Sequence, residues 1–477
     1  MTFWQTWQLR AAFAQRMASC YGREVPAYNT LVDVAAEVNR EVLERDGAAA
    51  QRLGRIDRVT AERHGAIRIG TPAELRAVSV IFQALGMHPV GFYDLREGRD
   101  SAVPVISTAF RPVDAAELSR NPFRMFTSLL VTDDRRFFGA DLQHRLDTFL
   151  GRRSLFAPEL LSLADRASSG AGLFDPDAHR FLDLATASFE LSTEPVDRAW
   201  YTELERISAV AADIGGLEST HINHLTPRVL DIDELYLRMS ARGITMIDAI
   251  QGPPRWAGPD LLLRQTSFRA LAEDRRFRLA DGAIRPGSVR VRFGEVEARG
   301  IAATPAGRDL YDAMLAEVDR RQLDDPQAEW NELAAQVWAE KLPDTELGLA
   351  NADLAWFTYE VADHRGCISP TADPDATVTQ LTNAGVLTLT PIVYEDFLPR
   401  SAAGIFKSNL TADGTVEPDR PGVARDAGWL SDILGRAVAE PAELYADQQA
   451  ASIAAARTRL GIPDRSGGVT PASRQEM

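Results

Sequence analysis

The sequence predicts an α+β fold: a curved mixed sheet covered by helices and interrupted by a large helical insertion. Three observations lead there. A β-α-β-β-β run occupies residues 61–131. Residues 132–215 carry apolar side chains at helical spacing. Strand-like sequence then returns at 288–303 and 385–397.

Residues 3–20 and 28–46 read as amphipathic helices. In the second, Leu31, Val34, Ala35, Val38 and Val42 recur every three or four positions, and Asn29 and Thr30 are cap candidates. Residues 65–70 form a short strand bounded by glycines. Thr71-Pro72-Ala73-Glu74 opens the next helix, with Thr71 at the N-cap, Pro72 at the first helical position and Glu74 placed for a capping box. That helix ends at Gly86. Strands follow at 89–95, 103–113 and 123–130.

The insertion at 132–215 is helical, with a Gly/Ser turn at 168–172. A further helical stretch covers 305–341. These pieces read as one elaborated domain over 1–465: N-terminal helices at 1–60, a first sheet segment at 61–131, the insertion at 132–215, and a second sheet segment with helices at 216–465. Residues 466–477 are rich in Gly, Ser and Pro and read as a disordered tail.

Composition narrows the function classes. The chain has 477 residues, long enough to bury a core without disulfides or a structural metal. Its 52 basic and 68 acidic side chains leave a net charge of −16, which disfavours nucleic acid and anionic membranes as partners. Two cysteines, Cys20 and Cys367, make neither a disulfide framework nor a zinc site, and this suits a reducing, cytoplasmic setting. The N-terminal stretch lacks the apolar core of a signal peptide, and no segment reads as membrane-spanning.

The common catalytic signatures are missing: no phosphate-binding glycine loop, no GxSxG elbow and no HExxH. Of seven histidines, His144, His179 and His364 read as surface residues and His88 as a loop residue. Three others sit in unusual company. His64 and Arg68 share one face of the 62–70 strand, where a buried guanidinium would require an anion. His221 and His224 stand in a dense polar cluster. Glu295 and Glu297 share a strand face, a costly pairing if buried unless a cation compensates. Two histidines and one carboxylate drawn from these are what a facial triad for Fe(II) requires, with open positions left for a 2-oxo acid and O2.

Several longer stretches, in order, resemble the 2-oxoadipate dioxygenase/decarboxylase family. They are 62–70 (ERHGAIRIG), 86–95, 107–111 (STAFR), 122–130, 221–233 (HINHLTPRVLDID), 262–271, 292–300 (RFGEVEARG) and 394–410 (YEDFLPRSAAGIFKSNL). The likeness runs over roughly residues 8–460 and implies a sheet of the vicinal-oxygen-chelate kind around a metal centre. It selects His64, His224 and Glu295 as ligands of Fe(II). His221 and Glu297 become supporting residues behind them, and Arg68 the group that holds the distal carboxylate of the substrate. Arg400 and Ser401 are expected at the substrate pocket, Arg400 departing from the apolar residue of the family.

The resemblance further implies conversion of 2-oxoadipate and O2 to D-2-hydroxyglutarate and CO2, a step of lysine catabolism. The expected partners are a small 2-oxo dicarboxylate and O2, with no nucleic acid or membrane, and no oligomeric state follows. Three alternatives use the same residues: a different 2-oxo acid, a Zn(II) or Mn(II) isomerase or hydrolase, and a small-acid binding protein.

Overall fold

The computed structural model describes residues 2–54, 62–97, 102–362, 375–398, 420 and 422–462. Arg400, Ser401, His364, Cys367 and the 466–477 tail lie outside them. Contacts within the chain gather into two compact units, where the sequence reads as one elaborated domain. The first holds Met1–Gly252, Leu263–Arg299 and Glu395–Pro441, and the second the remainder.

The first unit begins with α1 (Thr6–Glu24) and α2 (Pro26–Asp46). Helix α2 starts earlier than its cap candidates suggest, because Pro26 takes the first position. Asn29 thus lies inside the helix, where its amide donates to the Gly22 carbonyl. Strand β1 (Glu62–Ile69) leads to α3 (Pro72–Ala84), whose capping box of Thr71 and Glu74 is as the sequence predicts. Then come β2 (His88–Asp94), β3 (Val105–Arg111) and β4 (Arg124–Leu130). His88 opens β2 opposite Arg111 and is a strand residue, not a loop residue.

The insertion is helical: α4 (Ala140–Leu150), α5 (Pro158–Gly170), α6 (Asp177–Ala187), α7 (Arg198–Glu205) and α8 (Ala209–Gly215). Ser168 and Ser169 do not break α5. Their hydroxyls bond back to the Ala164 and Asp165 carbonyls, and the left-handed residue is Ala171. After it come β5 (Ile222–Pro227), β6 (Leu263–Ser267), β7 (Glu273–Arg278), β8 (Ile284–Val289) and β9 (Glu295–Arg299).

The five-stranded sheet has the order β2-β3-β4-β1-β5 and is mixed: β1 runs parallel to β4 and antiparallel to β5. Strands β6 and β9 form a separate antiparallel pair. That pair meets the end of β5 through a bridge from Arg228 to Glu297 and a 2.9 Å bond from the Val229 N–H to the Glu297 carbonyl.

The period-2 rule divides the large sheet into two different faces. Ile67, Ile69, Phe110, Met125, Leu129 and Leu225 pack with Leu9, Phe13 and Met17 of α1 and Val78 and Phe82 of α3 in one apolar core. The other face carries Arg111, Arg124, His64 and Thr226 in one row, then Ala109, Phe126, Ala66 and His224 in the next. A row of polar groups so deeply buried has no packing rationale, since burying them costs free energy unless partners compensate.

In the second unit, α9 (Pro305–Asp324) and α10 (Trp330–Lys341) divide what the sequence reads as one helical stretch, with Pro326 between them. Strand β10 (Phe357–Val361) pairs with β11 (Leu387–Pro391). The late strand-like sequence at 385–397 therefore does not join the large sheet. The 288–303 stretch likewise splits into the end of the β7–β8 hairpin and β9. A strand's pattern announces its faces but not its partner, so these pairings are invisible in the sequence. Among the described residues, no helix is long and apolar enough to cross a membrane.

Candidate metal centre

Three strands of the first unit bring His64, His224 and Glu295 together. His64 lies on β1, directly opposite Thr226 of β5, while His224 of β5 lies opposite Ala66. Glu295 opens β9. One nitrogen of each histidine and one carboxylate oxygen all lie within 4.8 Å of one another, and all three side chains are buried.

Local sequence explains how these groups reach one point. Gly65, next to His64, faces the apolar core, where a Cβ would come within 2.9 Å of Ile222 Cδ1 and Met125 Sδ. Glycine therefore lets β5 and β4 close against β1 behind the histidine. Strand β5 bulges at Asn223, between the pairings of Ala66 with His224 and of Ile67 with Ile222. On the core side, the Tyr21 hydroxyl of α1 donates to the carbonyls of Asn223 (3.1 Å) and Phe293 (2.8 Å). One phenol thus ties the chain beside His224 to the chain beside Glu295.

Two of the three side chains lack protein partners where a ligand would need them. Among the described residues, neither nitrogen of His224 and neither oxygen of Glu295 makes a hydrogen bond, although Glu295 Oε1 lies 3.1 Å from His64 Nε2. Burial pushes the Glu295 carboxyl well above its ordinary range, and the neighbouring Glu297 adds to this. Burial also holds His224 well below the ordinary imidazole value, assisted by His64 and Arg68, so the ring is neutral. A neutral imidazole beside a carboxylate stripped of donors suits a divalent cation, whose charge would replace the missing hydrogen bonds.

Behind His64 stands a charged layer. Glu297 Oε2 lies 3.3 Å from His64 Nδ1 and accepts from Arg124 Nη2 at 3.1 Å. Its other oxygen accepts from Arg299 at 2.7 Å. His64 Nδ1 lies 3.3 Å from both Glu297 Oε2 and Arg124 Nη2, while Nε2 faces Glu295 and Thr226. Phe293 stacks on His224, and Phe397 meets His64 edge-on while lying under Arg124. The segment bearing Phe397 is held by a buried two-pronged ion pair between Arg111 and Asp396, at 2.7 and 3.0 Å.

Arg68 lies on the site face of β1, and its Nη1 donates to Asp213 Oδ2 of α8 at 2.7 Å. Asp213 also accepts from the Asn223 amide at 2.9 Å and lies 3.3 Å from His221 Nε2. Burial opposes its charge, yet His221 and Arg68 together keep the carboxyl below the usual range. His221 therefore faces the Arg68 side of the site, whereas Glu297 faces His64 of the triad. A cavity of about 690 Å³ lined by Phe149, Trp200 and Arg275 among others contains none of the triad residues.

Arg124, Thr226, Phe293, Phe397 and Asp213 escape the sequence reading. Two of them left a trace. Arg124 is a lone cation in the apolar strand FRMFTSLL, and Asp213 a lone anion in the apolar run AVAADIG. Each, if buried, demands an opposite charge.

The sequence profile of the 2-oxoadipate dioxygenase/decarboxylase family matches residues 13–409. A Mycobacterium tuberculosis (strain ATCC 25618 / H37Rv) protein of that name is 53% identical over 441 residues, 92% of this chain and 96% of that protein. One from Pseudomonas putida (strain KT2440) is 38% identical over 463 residues, covering 95% and 97%. Among solved structures, the hydroxyglutarate synthase from Pseudomonas putida in complex with 2-oxoadipate aligns with a TM-score of 0.80 and 34% identity. The alignment covers 96% of this chain and 99% of that one.

Proposed function

The chain belongs to the 2-oxoadipate dioxygenase/decarboxylase family, and on that premise we propose that it converts 2-oxoadipate and O2 to D-2-hydroxyglutarate and CO2, using Fe(II) held by His64, His224 and Glu295. The observation that carries this reading is the buried triad, with His224 and Glu295 left without hydrogen bonds among the described residues. In its cellular setting the reaction is a cytoplasmic step of lysine catabolism, and the sheet around the triad is of the vicinal-oxygen-chelate kind.

The overall equation balances without an outside reductant. The carbon–carbon bond to the first carboxyl breaks, the keto carbon becomes a carboxylate, and its neighbour gains a hydroxyl. When bound, Fe(II) supplies the electron transfer to O2 and the template on which the 2-oxo acid chelates. His64 and His224 would hold the cation through their ring nitrogens, and Glu295 would neutralise part of its charge. Glu297 and Arg124 keep the His64 ring in register. Arg68 binds the distal carboxylate and so decides which face of the reacting carbon is presented. Phe293, Phe397 and Phe126 exclude water from the centre. Arg400 and Ser401, outside the described residues, are proposed as further substrate contacts.

The test is oxygen uptake by protein reconstituted with Fe(II), given 2-oxoadipate, 2-oxoglutarate or no substrate. Uptake with matching CO2 release only for 2-oxoadipate is the expected result. Uptake with another oxo acid keeps the chemistry and moves the substrate. No uptake despite bound iron overturns the dioxygenase reading in favour of metal-dependent isomerisation or hydrolysis.

A further inference from the structure

The proposed reading leaves unexplained why the guanidinium meant for a substrate carboxylate is already paired with a carboxylate of the protein. Arg68 Nη1 lies 2.7 Å from Asp213 Oδ2, with both side chains buried. A pair that simply cancelled charge would need nothing more. Asp213 has more: the Asn223 amide donates to Oδ2 at 2.9 Å, and His221 Nε2 lies 3.3 Å from Oδ1.

The three partners come from three places in the chain. Arg68 is on β1, Asp213 on α8, and His221 and Asn223 at the start of β5. Asn223 matters most, because it is the bulge residue directly preceding the ligand His224. Its carbonyl is gripped by Tyr21 while its side chain grips Asp213. The backbone of Arg68 joins the same assembly, since its carbonyl accepts from the Thr220 hydroxyl at 2.7 Å. The strand that carries a metal ligand is thus bonded to the anion that holds the arginine.

We infer that Asp213 is a positioning residue, which with His221 and Asn223 fixes the Arg68 guanidinium at a set distance from the metal triad and thereby selects the chain length of the 2-oxo dicarboxylate. This rests on the proposed role of Arg68. The physical reason is entropic. An arginine side chain has many rotamers to lose, and a site that has lost them before substrate arrives binds more tightly and in one register. Asp213 takes one of five guanidinium N–H donors. Thr220, His221 and Asn223 lie within four residues of His224, so the clamp and that candidate ligand share one short stretch of chain.

The test compares Asp213→Asn with Arg68→Ala in the Fe(II)-loaded enzyme. Steady-state constants are measured for 2-oxoadipate, for 2-oxoglutarate and for 2-oxohexanoate, which lacks the distal carboxylate, with bound iron quantified in every sample. Asp213→Asn is expected to retain iron and to raise KM for 2-oxoadipate about tenfold with a much smaller change in kcat. The preference for 2-oxoadipate over both comparison acids should shrink with it. His221→Gln is expected to shift KM in the same direction by less, and carries the test if Asp213→Asn does not fold. Equal losses on all three acids, or an unchanged KM, make the Asp213 cluster purely structural and overturn the inference. An unchanged KM in Arg68→Ala overturns the reading of Arg68 itself, and the inference with it.

Discussion

Glu295 and Asp213 are both buried carboxyls, and their surroundings set them in opposite directions. Glu295, with no donor, is raised, and Asp213, with three polar neighbours, is lowered. The second has a consequence for stability. A carboxyl whose folded value lies below the unfolded value of 3.8 contributes stability above that pH, and the contribution fades as pH falls through the folded value. Asp213→Asn is thus expected to lose about 3 kcal/mol at neutral pH, the usual consequence of breaking a buried ion pair. Urea unfolding should show that loss constant from pH 8 to pH 5, with the two proteins converging only in stronger acid. A difference that instead grew below pH 5 would contradict the sign. At this scale the sequence was informative where alternation was clean: His64 and Arg68 announce a shared face. It marked Asp213 only as a lone anion in an apolar run, because nothing in a single helix says which buried cation it will meet.

Strand β1 shows how one element serves two masters. Its odd face is apolar and sealed by α1 and α3, and its even face holds His64 and Arg68. The seal depends on Gly65. Gly65→Ala would place a methyl within 3.0 Å of Ile222, Met125 and Leu225. The neighbouring side chains must shift, at about 1–3 kcal/mol. Because these neighbours lie on β5 and β4, the variant is expected to weaken metal affinity as well as lower the unfolding midpoint, measured by titration and by thermal melts. A lowered midpoint with unaltered metal affinity would mean that β5 absorbs the methyl without moving His224. Element types were largely legible, since capping and periodicity are local. The separation of α9 from α10, and of β8 from β9, was not. Apolar spacing carries across a break such as 325–329, where only Asp325 and Pro326 betray it.

For the chain as a whole, the pattern of pairing had to come from the structure. Strand β11 reads as well as β9 does, yet it pairs with β10 in the second unit, while β9 supplies Glu295. The triad was within reach because the family resemblance chose among His221, His224, Glu295 and Glu297, a choice that spacing left open. A ligand set that folding itself assembles ties metal binding to stability. Fe(II) at a hundred times its dissociation constant should add about 2.7 kcal/mol, seen as a higher melting temperature that chelator reverses. Glu295→Gln is expected to melt at the same temperature with or without the metal. An equal metal-induced rise in both proteins would place the cation elsewhere.

The Tyr21 bridge, finally, imposes an order on manufacture. The Phe293 carbonyl that the phenol must meet is translated 272 residues after it. A nascent chain that ends at β5 displays both imidazoles but neither the carboxylate nor the second half of the clasp. Translation must therefore pass Glu295 before the three candidate ligands can come together.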